Sequence, residues 1–125
     1  MIITINKIEK DIVKFSSKYG EAYGIWKDNL PPELKKYGVE LDYDKILHIS
    51  QLNLTDVQSP RMKMNRDGIE IIGKVIDVQE KCMTFQIGES IIEFEIYNDK
   101  KFKEMNDKFI KISLPYINIY NENIL

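Results

Sequence analysis

The chain contains almost no cysteine or histidine, with one residue of each, Cys82 and His48. A single cysteine excludes an internal disulfide and removes the paired-cysteine patterns of zinc sites and redox motifs. No HxxxH or HExxH spacing is present either, so we predict no metal site and no cofactor. This cysteine usage favours a reducing compartment, and we expect a cytoplasmic protein.

The sequence also lacks the motifs of common catalytic centres. There is no glycine-rich phosphate loop, and nothing near Cys82 or His48 offers the third, orienting group that a nucleophilic pair requires. Carboxylate pairs with i, i+2 spacing suit acid–base chemistry or cation binding, but they are more often the solvated face of a strand. We therefore predict a protein that is not an enzyme and has no catalytic residues.

Long apolar runs and an excess of positive charge are absent as well. No segment approaches the roughly 20 apolar residues that span a bilayer, so neither export nor membrane insertion is expected. The net charge is −2, and residues 1–60 and 61–125 each sum to about −1. A chain without a basic half is not typical of proteins that follow a phosphate backbone, which argues against nucleic acid as a partner.

The remaining composition is that of an ordinary folded protein. Hydrophobic residues make up 43% and charged residues 30% of 125 positions, with only six glycines and four prolines. We predict a single domain over residues 1–125. In this domain residues 1–45 are helical and loop-rich, residues 46–125 are mainly antiparallel β, and no internal repeat is visible. The sequence leaves the oligomeric state open.

Apolar residues near the start of the chain recur at steps of three and four. They are Ile5, Ile8, Ile12, Phe15 and Tyr19. This spacing predicts an amphipathic N-terminal helix that ends at Gly20. A second, short helix that begins with proline is predicted from Pro32 to Tyr37.

From residue 46 onward the apolar period changes to two, which indicates strands. One hairpin is predicted around the turn at 65–68, and a clearer one joins Met83–Ile87 to Ile92–Ile96. A short surface helix is expected within 100–108, followed by strands at 109–114 and 116–120. The predicted fold class is thus α+β: the N-terminal helix with a bent antiparallel sheet of about five to six strands, part of it a barrel similar to the OB-fold.

Aromatic and acidic residues concentrate in the first third of the chain, a combination that suits a protein interface. The alternative is that the rings cap the core beneath the loops. A further acidic pair lies on one face of a predicted strand. We predict that the partner-binding residues are Trp26, Tyr37, Glu40, Asp42, Tyr43, Asp44, Glu93 and Glu95.

This combination resembles the immunity proteins that neutralise bacterial toxins of contact-dependent and polymorphic systems. The resemblance lies in the segment Gly20-Glu21-Ala22-Tyr23-Gly24-Ile25-Trp26 through Tyr43-Asp44, and in the small, mildly acidic, non-catalytic character of the chain. It implies tight binding to a cognate protein toxin. Many such toxins are basic nucleases, so an acidic surface would both steer binding and compete with nucleic acid.

The second half also resembles an OB-fold in its order of strand, hairpin, short helix and strand. That resemblance implies binding of single-stranded nucleic acid or oligosaccharide. The stacking residues would be Phe85 and Phe94, and the phosphate contacts Arg61, Lys63 and Arg66. Both phenylalanines, however, lie on apolar strand faces, where burial is the simpler interpretation, and the net charge disfavours a backbone binder.

Overall fold

The computed structural model describes residues 1–122, and its fold is almost entirely β. Strands hold 57% and helical turns 6% of these residues. The strands are β1 (Ile2–Glu9), β2 (Ile12–Ser17), β3 (Gly20–Trp26), β4 (Lys36–Asp42), β5 (Leu52–Leu54), β6 (Arg61–Asn65), β7 (Gly68–Val78), β8 (Cys82–Ile87), β9 (Ser90–Glu95), β10 (Phe109–Leu114) and β11 (Asn118–Asn121). Helical structure in the described residues is confined to α1 (Lys100–Lys103) and a 3₁₀ turn at Ile49–Gln51.

The predicted α+β fold with an N-terminal helix is wrong. The residues assigned to that helix form the β1–β2 hairpin, in which Phe15 pairs with Ile5. A β-bulge between Ile5 and Lys7 shifts the alternation of side chains. As a result Ile5 and Ile8, three positions apart, both pack against the core. The bulge therefore gives a strand the apolar spacing of a helix.

The other local predictions were met in part. Residues 32–35 are irregular and β4 begins at Lys36, so the second predicted helix is also wrong. The expectation of five or six strands is too low. Both predicted hairpins are confirmed, β6–β7 around the turn at 65–68 and β8–β9 around the turn at 88–89. The strand expected from residue 46 is reduced to β5, behind the 3₁₀ turn.

Five strands form a closed barrel. β1, β2 and β3 are a meander, β4 pairs with β1, and β11 pairs with β4, all antiparallel. The circle closes through a parallel pairing of β11 with β3. Around the barrel the strands follow the order β1, β2, β3, β11, β4, and β11, the fifth of them along the chain, is parallel to β3. This is the strand order of the OB-fold. We call these strands the closed barrel.

Five further strands form a second barrel that remains open. β7, β8 and β9 are again a meander, β10 pairs with β7, and β5 pairs with β10. No ladder in residues 1–122 joins β5 to β9. A backbone hydrogen bond of 2.8 Å from Leu47 N–H to the Glu95 carbonyl crosses that gap. We call this unit the open barrel; β6 connects it to the closed barrel by pairing with β7 and, at Gly20 and Met62, with β3.

The two barrels have the same strand register. Ile12 pairs with Ile25 in the closed barrel, and Cys82 pairs with Glu95 in the open one. Every pair of the β2–β3 ladder recurs about 70 positions later in the β8–β9 ladder. The bulge of β1 also recurs, between Val75 and Asp77 of β7.

This structural repeat is hidden in the sequence. When residues 2–26 are placed on residues 72–96, the identical pairs are Ile2 with Ile72 and Phe15 with Phe85. Inward positions stay apolar and outward positions change freely, so backbone pairing is repeated without residue identity. The expectation of no repeat is therefore correct for the residues and wrong for the fold.

The barrels exchange their fifth strands. After β4 the chain leaves the closed barrel and forms β5 of the open one, and after β10 it returns to form β11 of the closed one. The two crossing segments meet where the rings of Tyr43 and Tyr116 lie 5.6 Å apart. Each barrel is thus completed by the other half of the chain.

Candidate functional site

The aromatic residues predicted to contact a partner are packed inside the protein. Trp26 is 5% exposed and Tyr37 is 8% exposed, and their rings meet edge to face at 4.8 Å. The Trp26 indole N–H donates to the Leu30 carbonyl, and the Tyr37 hydroxyl accepts from the Glu33 N–H. These bonds fasten the loop at 27–35 over the end of the closed barrel. The arrangement corresponds to the alternative in which the rings cap the core under loops.

Tyr43 is buried at the junction of the two barrels. Its ring lies 6.1 Å from Phe94, inside the open barrel, and close to Tyr116 of the other crossing segment. It is 7% exposed, which leaves little ring surface for a partner. Its neighbours Asp42 and Asp44 are half-buried and exposed, respectively.

The predicted carboxylates reach the surface in two places. Glu40 is exposed on β4, opposite Tyr120 of β11, and Asp42 lies two residues further along, opposite Asn118. Glu93 and Glu95 are exposed on the outer side of β9. Because Tyr43 contacts Phe94, the end of β4 and the end of β9 lie beside each other. The fold thus brings the two acidic segments into the same region of the molecule.

A third carboxylate joins those of β9. Asp77 pairs with Thr84 across β7 and β8, and Thr84 pairs with Glu93 across β8 and β9. The side chains of Asp77, Thr84 and Glu93 therefore form one row across three strands. Glu95 pairs with Cys82 in the adjacent position. We call Asp77, Glu93 and Glu95 the acidic face. Asp77 was not predicted, because the bulge before it reverses the alternation of inward and outward side chains that the sequence pattern indicates.

The acidic face borders an unpaired strand edge. In the β8–β9 hairpin, alternate residues of β9 direct their backbone groups away from β8. The Glu95 carbonyl is one of these, since it accepts from Leu47 N–H on that side. The same alternation directs the backbone of Ile91 and Glu93 outward, where no strand within residues 1–122 pairs with them. An exposed edge of this kind can accept a strand from another protein.

Polar contacts at the junction fix Asp44. The Tyr116 hydroxyl donates to the Asp44 carboxylate, and this bond lowers the pKa of Asp44. The same bond, with burial of the phenol, raises the pKa of Tyr116 to about 12. Asn118 lies near enough to lower the pKa of Asp44 further, yet it is 1% exposed. Neither of its amide atoms has a hydrogen-bond partner of ordinary geometry among residues 1–122.

The corresponding face of the closed barrel has different chemistry. By the common register, Lys7 replaces Asp77, Tyr23 replaces Glu93 and Ile25 replaces Glu95. Lys14, opposite Tyr23, makes a solvent-exposed ion pair of 3.7 Å with Glu21. One backbone arrangement thus presents an acidic face in one barrel and a mixed apolar and basic face in the other.

The remaining candidates have ordinary surroundings. Burial, followed by the charges of Glu93 and Asp77, raises the pKa of Cys82, which is the reverse of what a nucleophilic cysteine needs. His48 is exposed, with its ring 5.9 Å from Tyr97. Between Met1 and Glu122 no three histidine, cysteine or acidic side chains gather so as to hold a metal ion.

The stacking residues of the OB-like alternative are not accessible. Phe85 and Phe94 are both fully buried and meet edge to face in the open barrel at 6.0 Å. No helix of the described chain has the length and apolar character required to cross a membrane. Comparison with protein-family models, with curated proteins and with solved structures gives no match.

Proposed function

We propose that this chain is a non-enzymatic protein-binding domain, and specifically an immunity protein that binds and occludes a basic toxin in the cytoplasm. The observation that carries the proposal is the acidic face beside the open edge of β9. Asp77 and Glu93 lie on either side of Thr84 in one cross-strand row, and Glu95 lies two residues along β9 from Glu93. The backbone of Ile91 and Glu93 beside them has no partner strand among residues 1–122. This combination suits a basic partner that adds a strand to the sheet.

The physical roles of the two features differ. Exposed carboxylates attract a basic partner over several ångströms, which raises the association rate and makes it depend on salt. Backbone hydrogen bonds at a strand edge fix the orientation of the bound segment and slow its dissociation. Asp42 and Asp44, next to the ring that contacts Phe94, extend the negative potential toward β4. Neither role requires a cofactor or a catalytic group.

The partner is identified by capture from the native cells with the tagged chain, followed by mass spectrometry. The proposal expects a stoichiometric basic protein whose toxicity is suppressed when this chain is present. If the captured material is nucleic acid that is lost at high salt, with no such protein, the immunity function is wrong.

The site is tested with the captured toxin and the double substitution Glu93→Lys and Glu95→Lys. We expect the association rate to fall at least about tenfold and its salt dependence to weaken. The matched control is Glu9→Lys with Glu104→Lys, two exposed carboxylates that are not part of the acidic face and give the same change in net charge. Equal losses in both variants would show that only the total charge matters, and would remove the acidic face as the site.

A further inference from the structure

A groove elsewhere on the outer surface of the open barrel gathers positive charge. Its volume is about 300 Å³, and the outer side of β6, β7 and β10 forms its floor, with the segment at 55–57 and Tyr19 at its rim. Three cations line it, Arg61, Lys63 and Lys111. The net charge of −2 gives no indication of this groove, because its cations come from strands that are distant in the sequence.

Strand register fixes the spacing of the cations. Arg61 pairs with Ile72, and Ile72 pairs with Lys111, so the two cations lie on either side of one apolar residue. Since each strand step is about 4.8 Å, their backbones are about 10 Å apart. In the next position Lys63 pairs with Glu70, the one acid of the lining, at 3.3 Å. Glu70 thus offsets the charge of Lys63, and its side chain is only 19% exposed. Because the lining within residues 1–122 contains no second acid, Arg61 and Lys111 are the cations that can attract an anion.

An aromatic ring stands beside these cations. Tyr19 lies in the turn between β2 and β3, and its carbonyl accepts from Met62 N–H at 2.9 Å. Its hydroxyl accepts from Glu89 N–H at 3.4 Å, so both barrels hold the residue in place. A fixed ring at the rim of a groove with separated cations matches a chain of linked phosphates and flat bases.

We propose that this groove binds a short stretch of single-stranded nucleic acid. Arg61 and Lys111 contact successive phosphates, Tyr19 stacks on a base, and Ile72 packs against the sugar or base between them. The inference goes beyond the proposed function, because it uses another face of the molecule and does not depend on a toxin. Arg61 and Lys63 were predicted above as phosphate contacts, whereas Lys111 and Tyr19 were not. Arg66, in the turn of the β6–β7 hairpin, is not among the groove residues.

The test is fluorescence anisotropy of the full chain with a labelled oligothymidylate at several salt concentrations. The two phosphate contacts predict that log K falls with log salt with a slope of about −1.4. The double substitution Arg61→Glu and Lys111→Glu should weaken binding at least about tenfold and bring the slope close to zero. Tyr19→Leu should weaken binding about tenfold with an unchanged slope, because stacking involves no ion release.

The matched control is Lys100→Glu with Lys103→Glu on α1, two cations outside the groove that give the same change in net charge. This control should bind the oligonucleotide within about twofold of the original chain, and far-ultraviolet circular dichroism should show that every variant is folded. Polyglutamate and inorganic phosphate serve as competitors. The inference is overturned by absence of binding at low salt, by an equal loss in the control, or by displacement of the oligonucleotide by polyglutamate at equal charge concentration.

Discussion

The closed and the open barrel share a strand register but differ at the position that decides closure. Gly24 of β3 corresponds to Phe94 of β9. A Cβ atom at Gly24 would lie 2.7 Å from the Ile117 carbonyl and equally close to the Ile119 side chain, so only glycine lets β11 approach β3. At Phe94 a ring fills that space, and β5 forms no ladder with β9. The two barrels thus differ in closure and in the size of the residue at this position, and we expect the glycine to be required for the closed form.

The cores compensate for this difference elsewhere. Ile3 of the closed barrel is buried, whereas its counterpart Gly73 leaves its space to the ring of Phe85. Interiors are packed at constant density, so a larger residue at one position requires a smaller one nearby. The comparison shows how two units diverge in residue identity while the backbone pairing stays the same.

The largest effect is expected at the one aromatic position that the two cores share. Phe15 and Phe85 are both fully buried. We expect Phe15→Ala and Phe85→Ala each to lower the free energy of unfolding by about 4 kcal/mol, because each leaves a cavity the size of a ring. Urea denaturation measures both values, and a difference of more than about 2 kcal/mol would contradict the equivalence of the barrels.

A somewhat smaller loss is expected from Gly24→Val. The new side chain would meet the backbone of the crossing segment, which cannot move without breaking the β3–β11 pairing. We expect a cost of about 3 kcal/mol in urea denaturation. Tyr23→Val, whose side chain lies on the outer side of the same strand, should cost about 1 kcal/mol or less. If both variants are equally stable, Gly24 does not control closure.

A gain is expected from Asn118→Leu in the exchanged strand β11. Within the described part of the chain the buried Asn118 amide has no hydrogen-bond partner of ordinary geometry, which is unfavourable by about 1 to 3 kcal/mol. An apolar side chain of similar size should therefore raise the free energy of unfolding by about 1 kcal/mol. Thermal unfolding at neutral pH checks the direction, and a lower melting temperature would mean that the contact with Asp44 outweighs the burial.

The smallest effect is on the pH dependence of stability. The bond from Tyr116 lowers the pKa of Asp44 in the folded state, so this carboxylate stabilises the fold above its unfolded pKa. That contribution is lost as the pH falls through the folded value. Tyr116→Phe should raise the pKa of Asp44 in NMR titration and flatten the loss of stability below about pH 4. An unchanged Asp44 titration would remove the Tyr116 bond as the cause.

The fold could be predicted from the sequence only where pairing is local. Alternation on both sides of a two-residue turn identified the β8–β9 hairpin, and turn residues identified β6–β7. The β1–β2 hairpin was missed because the bulge at Asn6 spaces Ile5 and Ile8 like a helix. The exchange of β5 and β11 joins strands that are far apart in the chain, and no local pattern specifies it.

The candidate site was predictable to a similar extent. The i, i+2 spacing placed Glu93 and Glu95 on one face of a strand, and the structure has them there. Asp77 was hidden by the second bulge, and Lys111 by its distance from Arg61 in the sequence. Whether Trp26 and Tyr37 face outward or inward depends on how the loop at 27–35 folds over them, which composition does not reveal.

The strand exchange is tested most directly by following the unfolding of Phe85→Ala in urea with two probes. Trp26 fluorescence reports only the closed barrel, whereas far-ultraviolet circular dichroism reports both barrels. Since each barrel contains a strand from the other half of the chain, we predict that a cavity in the open barrel shifts both midpoints equally, in one transition. A Trp26 midpoint that stays at the value of the original chain, while the dichroism becomes biphasic, would contradict the exchange.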